Sequence, residues 1–172
     1  MGEQGARTVD ESAIRWRDEV TAEDVERIGE LVEATGFFHP GEVSVARELV
    51  EERCAKGDAS GYHFLLAEAP SGALLGYTCY GPIACTESSW DLYWIAVAPS
   101  AQRIGLGRRL MEATEQEAAK RGGTRMYADT SGREQYSPTR SFYERCGYAT
   151  AADLEDFYAP GDSKRIYAKR LT

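Results

Sequence analysis

The sharpest chemical signal in the chain is Pro99-Ser100-Ala101-Gln102-Arg103-Ile104-Gly105-Leu106-Gly107-Arg108-Arg109-Leu110, which follows an apolar run and opens a helical pattern. A helix start offers several N–H groups without intrahelical partners and roughly half a positive charge. Gly105 and Gly107 clear side chains away so that an anion can reach the backbone, and Arg103 and Arg108 add charged donors. The ligand this pattern suits is a phosphate or pyrophosphate. Gly107 is followed by Arg108 and Arg109, where a P-loop needs Lys and then Ser or Thr. A dinucleotide fingerprint needs a third glycine, which is missing. Taken alone, Gly-x-Gly at a helix start also reads as an ordinary tight turn.

The elements that must position this segment follow from periodicity. Ile14–Arg17 alternates as a strand, and Thr21, with Asp24 three residues on, starts a helix striped by Val25, Ile28, Leu31 and Val32 and closed by Gly36. Gly41–Lys56 reads as a second helix with Val43, Ala46, Val50 and Cys54 inward. Tyr62–Glu68 and Leu74–Tyr80 form a hairpin across Ala69-Pro70-Ser71-Gly72, and Trp90–Val97 is a further strand. Leu106–Arg121 is a helix, Thr124–Asp129 a strand, and Pro138–Cys146 a short helix ended by Gly147. Ala149–Tyr158 and Lys164–Lys169 close the chain as a second hairpin. The order β-α-α-β-β-β-α-β-α-β-β predicts an α/β fold: one domain over residues 12–172 with a mixed central β-sheet flanked by helices, after an N-terminal tail at 1–11.

Composition narrows the functions. The 172 residues carry 20 basic and 28 acidic side chains, a net charge of −8. Residues 1–60 hold 15 acids against 7 bases and the rest 13 against 13, so no broad basic face exists for nucleic acid. No apolar run approaches the ~20 residues of a membrane span, and Met1–Asp10 has no apolar signal core, so a cytoplasmic protein is expected. Cys54, Cys79, Cys85 and Cys146 form no C-x-x-C pair and there are 2 histidines, so neither a metal site nor a disulfide framework is expected.

Gln102-Arg103-Ile104-Gly105-Leu106-Gly107 resembles the Q/R-x-x-G-x-G/A signature of the GCN5-related N-acetyltransferases (GNAT). Leu92–Pro99 resembles the strand before that signature, and Ser141-Phe142-Tyr143-Glu144-Arg145-Cys146-Gly147-Tyr148 resembles the family's later FYEK-x-GF element. The resemblance runs from about Ile14 to Leu171 and implies the GNAT fold and acetyl-CoA as acyl donor. It implies that the main chains of Ile95 and Val97 pair with the pantetheine arm. The pyrophosphate would sit on the amides of Arg103, Ile104, Gly105, Leu106, Gly107 and Arg108, with Gln102 fixing the turn. Arg109 reads equally as a site residue or a solvated one. Two positions depart from the family: Tyr136 stands where asparagine is common, and Thr139 where alanine is usual.

Acetyl transfer to an amine requires a neutral nucleophile. Deprotonating a lysine-like ammonium at pH 7 costs about 4.6 kcal/mol. The resemblance makes Tyr143 the acid that protonates the departing thiolate; the alternative is a ring packed on the donor. An amide of Ile95 or Val97, at a break in the strand, would face the developing oxyanion. Asp91, six residues before Val97, is the candidate base, since desolvation in an apolar strand raises a carboxyl pKa. It reads otherwise as an exposed strand end, and Glu68 and Glu87 are weaker alternatives. The acceptor expected is a small-molecule amine or a protein amino group, with the aromatic loop Gly36–Pro40 beside it. The closing hairpin offers an edge for a homodimer. A non-catalytic acyl-CoA sensor on the same fold is the competing reading.

Overall fold

The structure, a computed structural model, describes residues 13–172. The tail expected at 1–11 lies outside the described residues. The elements are β1 (Arg15–Arg17), α1 (Glu23–Ala34), α2 (Pro40–Lys56), β2 (His63–Glu68), β3 (Leu74–Pro82), β4 (Ser89–Val97), α3 (Leu106–Lys120), β5 (Arg125–Ser131), α4 (Ser137–Arg145), β6 (Ala149–Ala159) and β7 (Asp162–Arg170). The order is the expected one, and the boundaries shift by two residues or fewer almost everywhere. The seven strands form one mixed sheet in the order β1-β2-β3-β4-β5-β7-β6, with the four helices on its two faces. Only β4 and β5 run parallel, as the α3 crossover between them requires.

The two layers pack differently. On one face Ile28, Leu31 and Val32 of α1 meet Val43, Ala46 and Val50 of α2 over Phe64, Leu66, Tyr77 and Cys79. Cys54, expected inward on α2, is exposed, one turn beyond Val50, the last buried residue of the helix. On the other face Met111 and Ala118 of α3 cover Trp90, Leu92, Met126 and Ala128, joined by Tyr143, Tyr148 and Tyr167. One buried polar pair crosses that interface, Thr114 Oγ1 to Thr78 Oγ1 at 2.7 Å.

A β-bulge in β4 distributes the strand between these layers. Cys79 pairs with Trp94 and Tyr80 with Leu92, so Tyr93 has no partner on β3. A strand's side chains alternate, and one inserted residue flips everything beyond it to the other face. Trp90 and Leu92 therefore face α3, while Trp94 and Ala96 face α1 and α2.

The start of the sheet is tied by an ionic clamp. Asp24 and Glu68, both buried, are shared among Arg17, Arg27 and Arg15, with Arg17 bidentate on Asp24 at 2.8 Å and 2.8 Å. Asp24 also accepts the Thr21 N–H at 2.8 Å, although Ala22 rather than Thr21 takes the N-cap position. Burial alone would raise both carboxyls; the arginine hydrogen bonds outweigh it and hold Asp24 and Glu68 at about 2. Glu68 is thereby consumed structurally and lines neither cavity of the cleft.

Because both folded-state values lie below the unfolded range of about 3.9–4.3, the clamp's stabilisation is complete above that range. It is lost as pH falls from about 4 toward 2. Glu68→Gln should cost roughly 2 kcal/mol at pH 7, discounted for the partly exposed arginines. It should also flatten the fall in stability between pH 4 and 2, read by urea titration at each pH. An unchanged acid limb would remove the clamp as its cause.

Candidate active-site cleft

Parallel pairing of β4 with β5 runs from Ser89↔Arg125 to Leu92↔Ala128 and ends there. Beyond it the strands part, and the gap is flanked by α4 and the α1–α2 connection. The direction of the free backbone groups follows from the β3 ladder. Ala98 N–H bonds the Leu75 carbonyl at 2.8 Å, and antiparallel bonding alternates, so Ile95 and Val97 turn their N–H and C=O groups away from β3 into the gap. The irregularity in β4 lies at Tyr93, two residues before Ile95, and not at Ile95 or Val97.

Two adjoining cavities occupy the gap. The larger, about 600 Å³, is lined by Ile95 and Val97, by Gln102, Arg103, Gly105, Leu106, Gly107 and Arg108, and by Phe142. The smaller, about 360 Å³, is lined by Tyr93, Trp94, Asp129, Tyr143 and Tyr158 among others. Phe37, Phe38, Ile95 and Thr139 belong to both walls, so the cavities meet there.

The larger cavity has the character of an anion site at one end. Gly105 precedes α3 with φ 79°, no side chain caps the helix, and its first turn holds no acid. The leading amides of α3 therefore open on the cavity. A Cβ on Gly105 would meet nothing within 4 Å, which leaves free space on that side, whereas one on Gly107 would press on Phe142 at 3.3 Å. Gln102 Nε2 donates to the Val97 carbonyl at 3.2 Å and ties the loop to the strand. Arg103 holds a left-handed conformation with φ 66°. Arg108 lines the cavity while its Nε bonds Glu112 at 2.8 Å. Ile104 instead packs into the core beside Leu106, and Arg109 lies with its guanidinium 5.6 Å from the Trp16 ring; neither lines the cavity.

Tyr143 is almost wholly buried among Phe142, Tyr148 and Tyr167, and it lines the smaller cavity. Burial first, and the nearby Asp129 charge second, push its hydroxyl well above the usual tyrosine value, so it holds its proton at neutral pH. Asp91 lines neither cavity. Its carboxyl is pushed up by burial first and by Asp129 next. Of the carboxylates lining the smaller cavity, Glu42, Asp129 and Asp162, the one beside Asp91 is Asp129 of β5, paired with Lys164 at 2.5 Å. Sequence reading missed it, because an acid at a strand end carries no signal until β5 is placed against β4. Tyr136 lines the same cavity and packs edge-on against Phe37, centroids 5.2 Å apart. Among the described residues, no group of three or more His, Cys, Asp and Glu is placed to hold a metal. No helix there is long and apolar enough to cross a membrane.

Comparison with known proteins agrees with this geometry. The Acetyltransferase (GNAT) family profile matches residues 26–148. A GNAT-family protein from Desulfovibrio desulfuricans is 45% identical with a TM-score of 0.91, over 93% of this chain and 100% of that one. An aminoglycoside 6′-N-acetyltransferase complexed with coenzyme A superposes with a TM-score of 0.72 at 18% identity, over 92% of this chain and 97% of that one. The Escherichia coli ribosomal-protein-S18-alanine N-acetyltransferase gives 0.72 at 18% identity, over 92% and 94%. At such identities the last two show the fold alone. With most of its length matched by the family profile and a 45% identical relative spanning nearly all of it, this chain belongs to the GNAT acetyltransferase family.

Proposed function

We propose that the protein transfers the acetyl group of acetyl-CoA to a primary amine in the cytoplasm. The observation that carries the reading is the continuity of the cleft. An anion-binding helix start, a strand edge with free backbone groups and a buried, protonated tyrosine follow one another along it. Acetyl-CoA supplies the acyl group as a thioester. The α3 amides from Leu106 to Arg108 and the charges of Arg103 and Arg108 hold the pyrophosphate. Ile95 and Val97 present main-chain donors and acceptors to the amide-bearing pantetheine arm. An Ile95 or Val97 N–H also faces the negative charge that builds on the thioester oxygen.

Tyr143 gives its proton to the departing thiolate; burial keeps the hydroxyl protonated at neutral pH, so the proton is there to give. The amine must lose a proton before attack, and the acids on the far side of the cleft receive it. Asp129 faces the cavity, and Asp91 stands behind it with a raised affinity for protons. Thiol release on adding amines to protein and acetyl-CoA tests the reading directly. CoA binding with no release for any amine would favour the sensor instead.

A matched pair tests the donor site. Asparagine and aspartate both tolerate the left-handed conformation at Gly105, and the space beside it is open, so they differ there by one charge. Gly105→Asp should bind CoA at least about tenfold more weakly than Gly105→Asn by calorimetry, with equal melting temperatures. Equal affinities would remove the start of α3 as the pyrophosphate site.

Tyr143→Phe keeps the ring and deletes the proton. Its kcat should fall roughly 100-fold while the Kd for acetyl-CoA stays within about twofold. Full activity would leave Tyr143 as a packing residue.

A further inference from the structure

The smaller cavity carries information about the acceptor that its position alone does not. Its volume, about 360 Å³, lies at the low end for small-ligand sites. Its walls are aromatic. Phe38 leans on Trp94 with centroids 4.9 Å apart, and Phe37 meets Tyr136 at 5.2 Å and 84°. That second contact joins the α1–α2 connection to the turn before α4, so it bridges the cleft from one bank to the other. A folded protein chain laid into the cleft would have to break it.

The charge in the cavity is one-sided. Asp129 is partly exposed to it; Lys164 pairs with Asp129, and Asp91 adds a second carboxylate behind, leaving the trio one negative charge in excess. The other charged groups facing the cavity are paired as Asp129 is, so its sign rests on the excess of carboxylates, Glu42, Asp129 and Asp162 against Arg133. Asp162 accepts Ser131 Oγ at 2.5 Å and Arg133 Nε at 3.0 Å, and Glu42 accepts the His39 N–H at 2.8 Å. A single ammonium finds a carboxylate at Asp129 and electron-rich ring faces around it. A second ammonium on the same molecule would find Asp162 and Glu42 already bonded, with no further carboxylate lining the cavity to pair with. A carboxylate would meet that acidic excess, with the nearby cations Lys164 and Arg133 both already engaged.

Resting on the acetyl-transfer reading, we propose that the acceptor is a small monocationic amine with an apolar or aromatic body. Its ammonium is held by Asp129, and its body lies between Phe37, Phe38, Trp94 and Tyr136. Asp129 then sets the amine beside the acyl carbon and is the first base its proton meets. The Phe37–Tyr136 bridge sets the upper size of the acceptor. This gives Tyr136 a role in acceptor selection.

The test measures thiol release with saturating acetyl-CoA and five acceptors: phenethylamine, L-phenylalanine, putrescine, kanamycin and a lysine peptide. Phenethylamine should exceed each of the others in kcat/KM by about tenfold or more. It should also bind the CoA-loaded protein in calorimetry, a readout independent of turnover. Asp129→Asn should raise the KM for phenethylamine at least about tenfold, with CoA affinity unchanged as the check on folding. Phe37→Ala, which leaves Asp129 and Lys164 untouched, should narrow the preference over kanamycin and the peptide. Preference for any other acceptor by the same margin would overturn the proposal. So would failure of phenethylamine to bind the CoA-loaded protein, or an Asp129→Asn variant with unaltered KM. Loss of CoA binding in the parent protein would count instead against the acetyl-transfer reading.

Discussion

β4 and β5 are held together by four parallel residue pairs, Ser89–Leu92 against Arg125–Ala128, and the cleft exists because the ladder stops there. Ending a ladder inside a domain is costly, since every N–H and C=O removed from it must find a partner or water. The fold accepts that cost at Ile95 and Val97 and recovers part of it through Gln102, whose side chain caps the Val97 carbonyl. The remaining groups form a one-sided strand edge, the arrangement that an extended, amide-bearing ligand can complete. The bulge at Tyr93 lies where the strands part. It turns Trp94 and Ala96 toward α1 and α2, so the free edge is backed by packed side chains on both faces.

Keeping such a gap open demands rigidity around it. The α3–α4 face supplies this with closely packed rings, Tyr143 contacting Phe142, Tyr148 and Tyr167 at 5.5–5.9 Å. The α1–α2 face relies instead on the Asp24–Glu68 clamp, which fixes β1 and the start of α1 to β2 through three arginines. That clamp lies far along the helix from Phe37 and Phe38. With α1 anchored at one end and packed along its length, the aromatic connection at its other end overhangs the cleft in a fixed place. The acidic surplus of the first 60 residues is thus partly structural: Asp24 is buried, spent on arginines, and lines neither cavity.

What the sequence disclosed and what it hid separate along a physical line. The element order was legible because each helix carries its own stripe and each turn its own glycine, both local signals. Gly105 and Gly107 were legible because a helix start that admits an anion must drop its side chains at fixed spacing. The pairing of β4 with β5, its early end and the bulge at Tyr93 are non-local, and no periodicity encodes them. Asp91 stood out in sequence as an acid in an apolar strand, and it is indeed half-desolvated, yet its neighbour across the sheet, Asp129, is the one facing the cavity. Ile104 sat inside the signature and turned inward, since a loop wrapped over a helix start needs one apolar anchor. Tyr136 was visible only as a departure from a pattern, and its contact with Phe37 required the fold.

The two cavities share a wall, and that sharing constrains the chemistry. Phe37, Phe38, Ile95 and Thr139 border both, so molecules seated in the two cavities would meet at a neck whose sides are mostly apolar. An apolar neck excludes water from the point where an activated acyl group and its nucleophile meet, which suppresses hydrolysis and strengthens every remaining electrostatic contact. Tyr143 and Asp129 both line the smaller cavity, Tyr143 with a hydroxyl that burial keeps protonated, and Asp91, which lines neither cavity, is pushed up by burial and by the Asp129 charge. Both environments favour the protonated form, which keeps a proton on Tyr143 to give and raises the affinity of Asp91 for one. In this fold both environments follow from the parting of β4 and β5: it opens the space that Tyr143 borders from α4, and it exposes the end of β5 that carries Asp129.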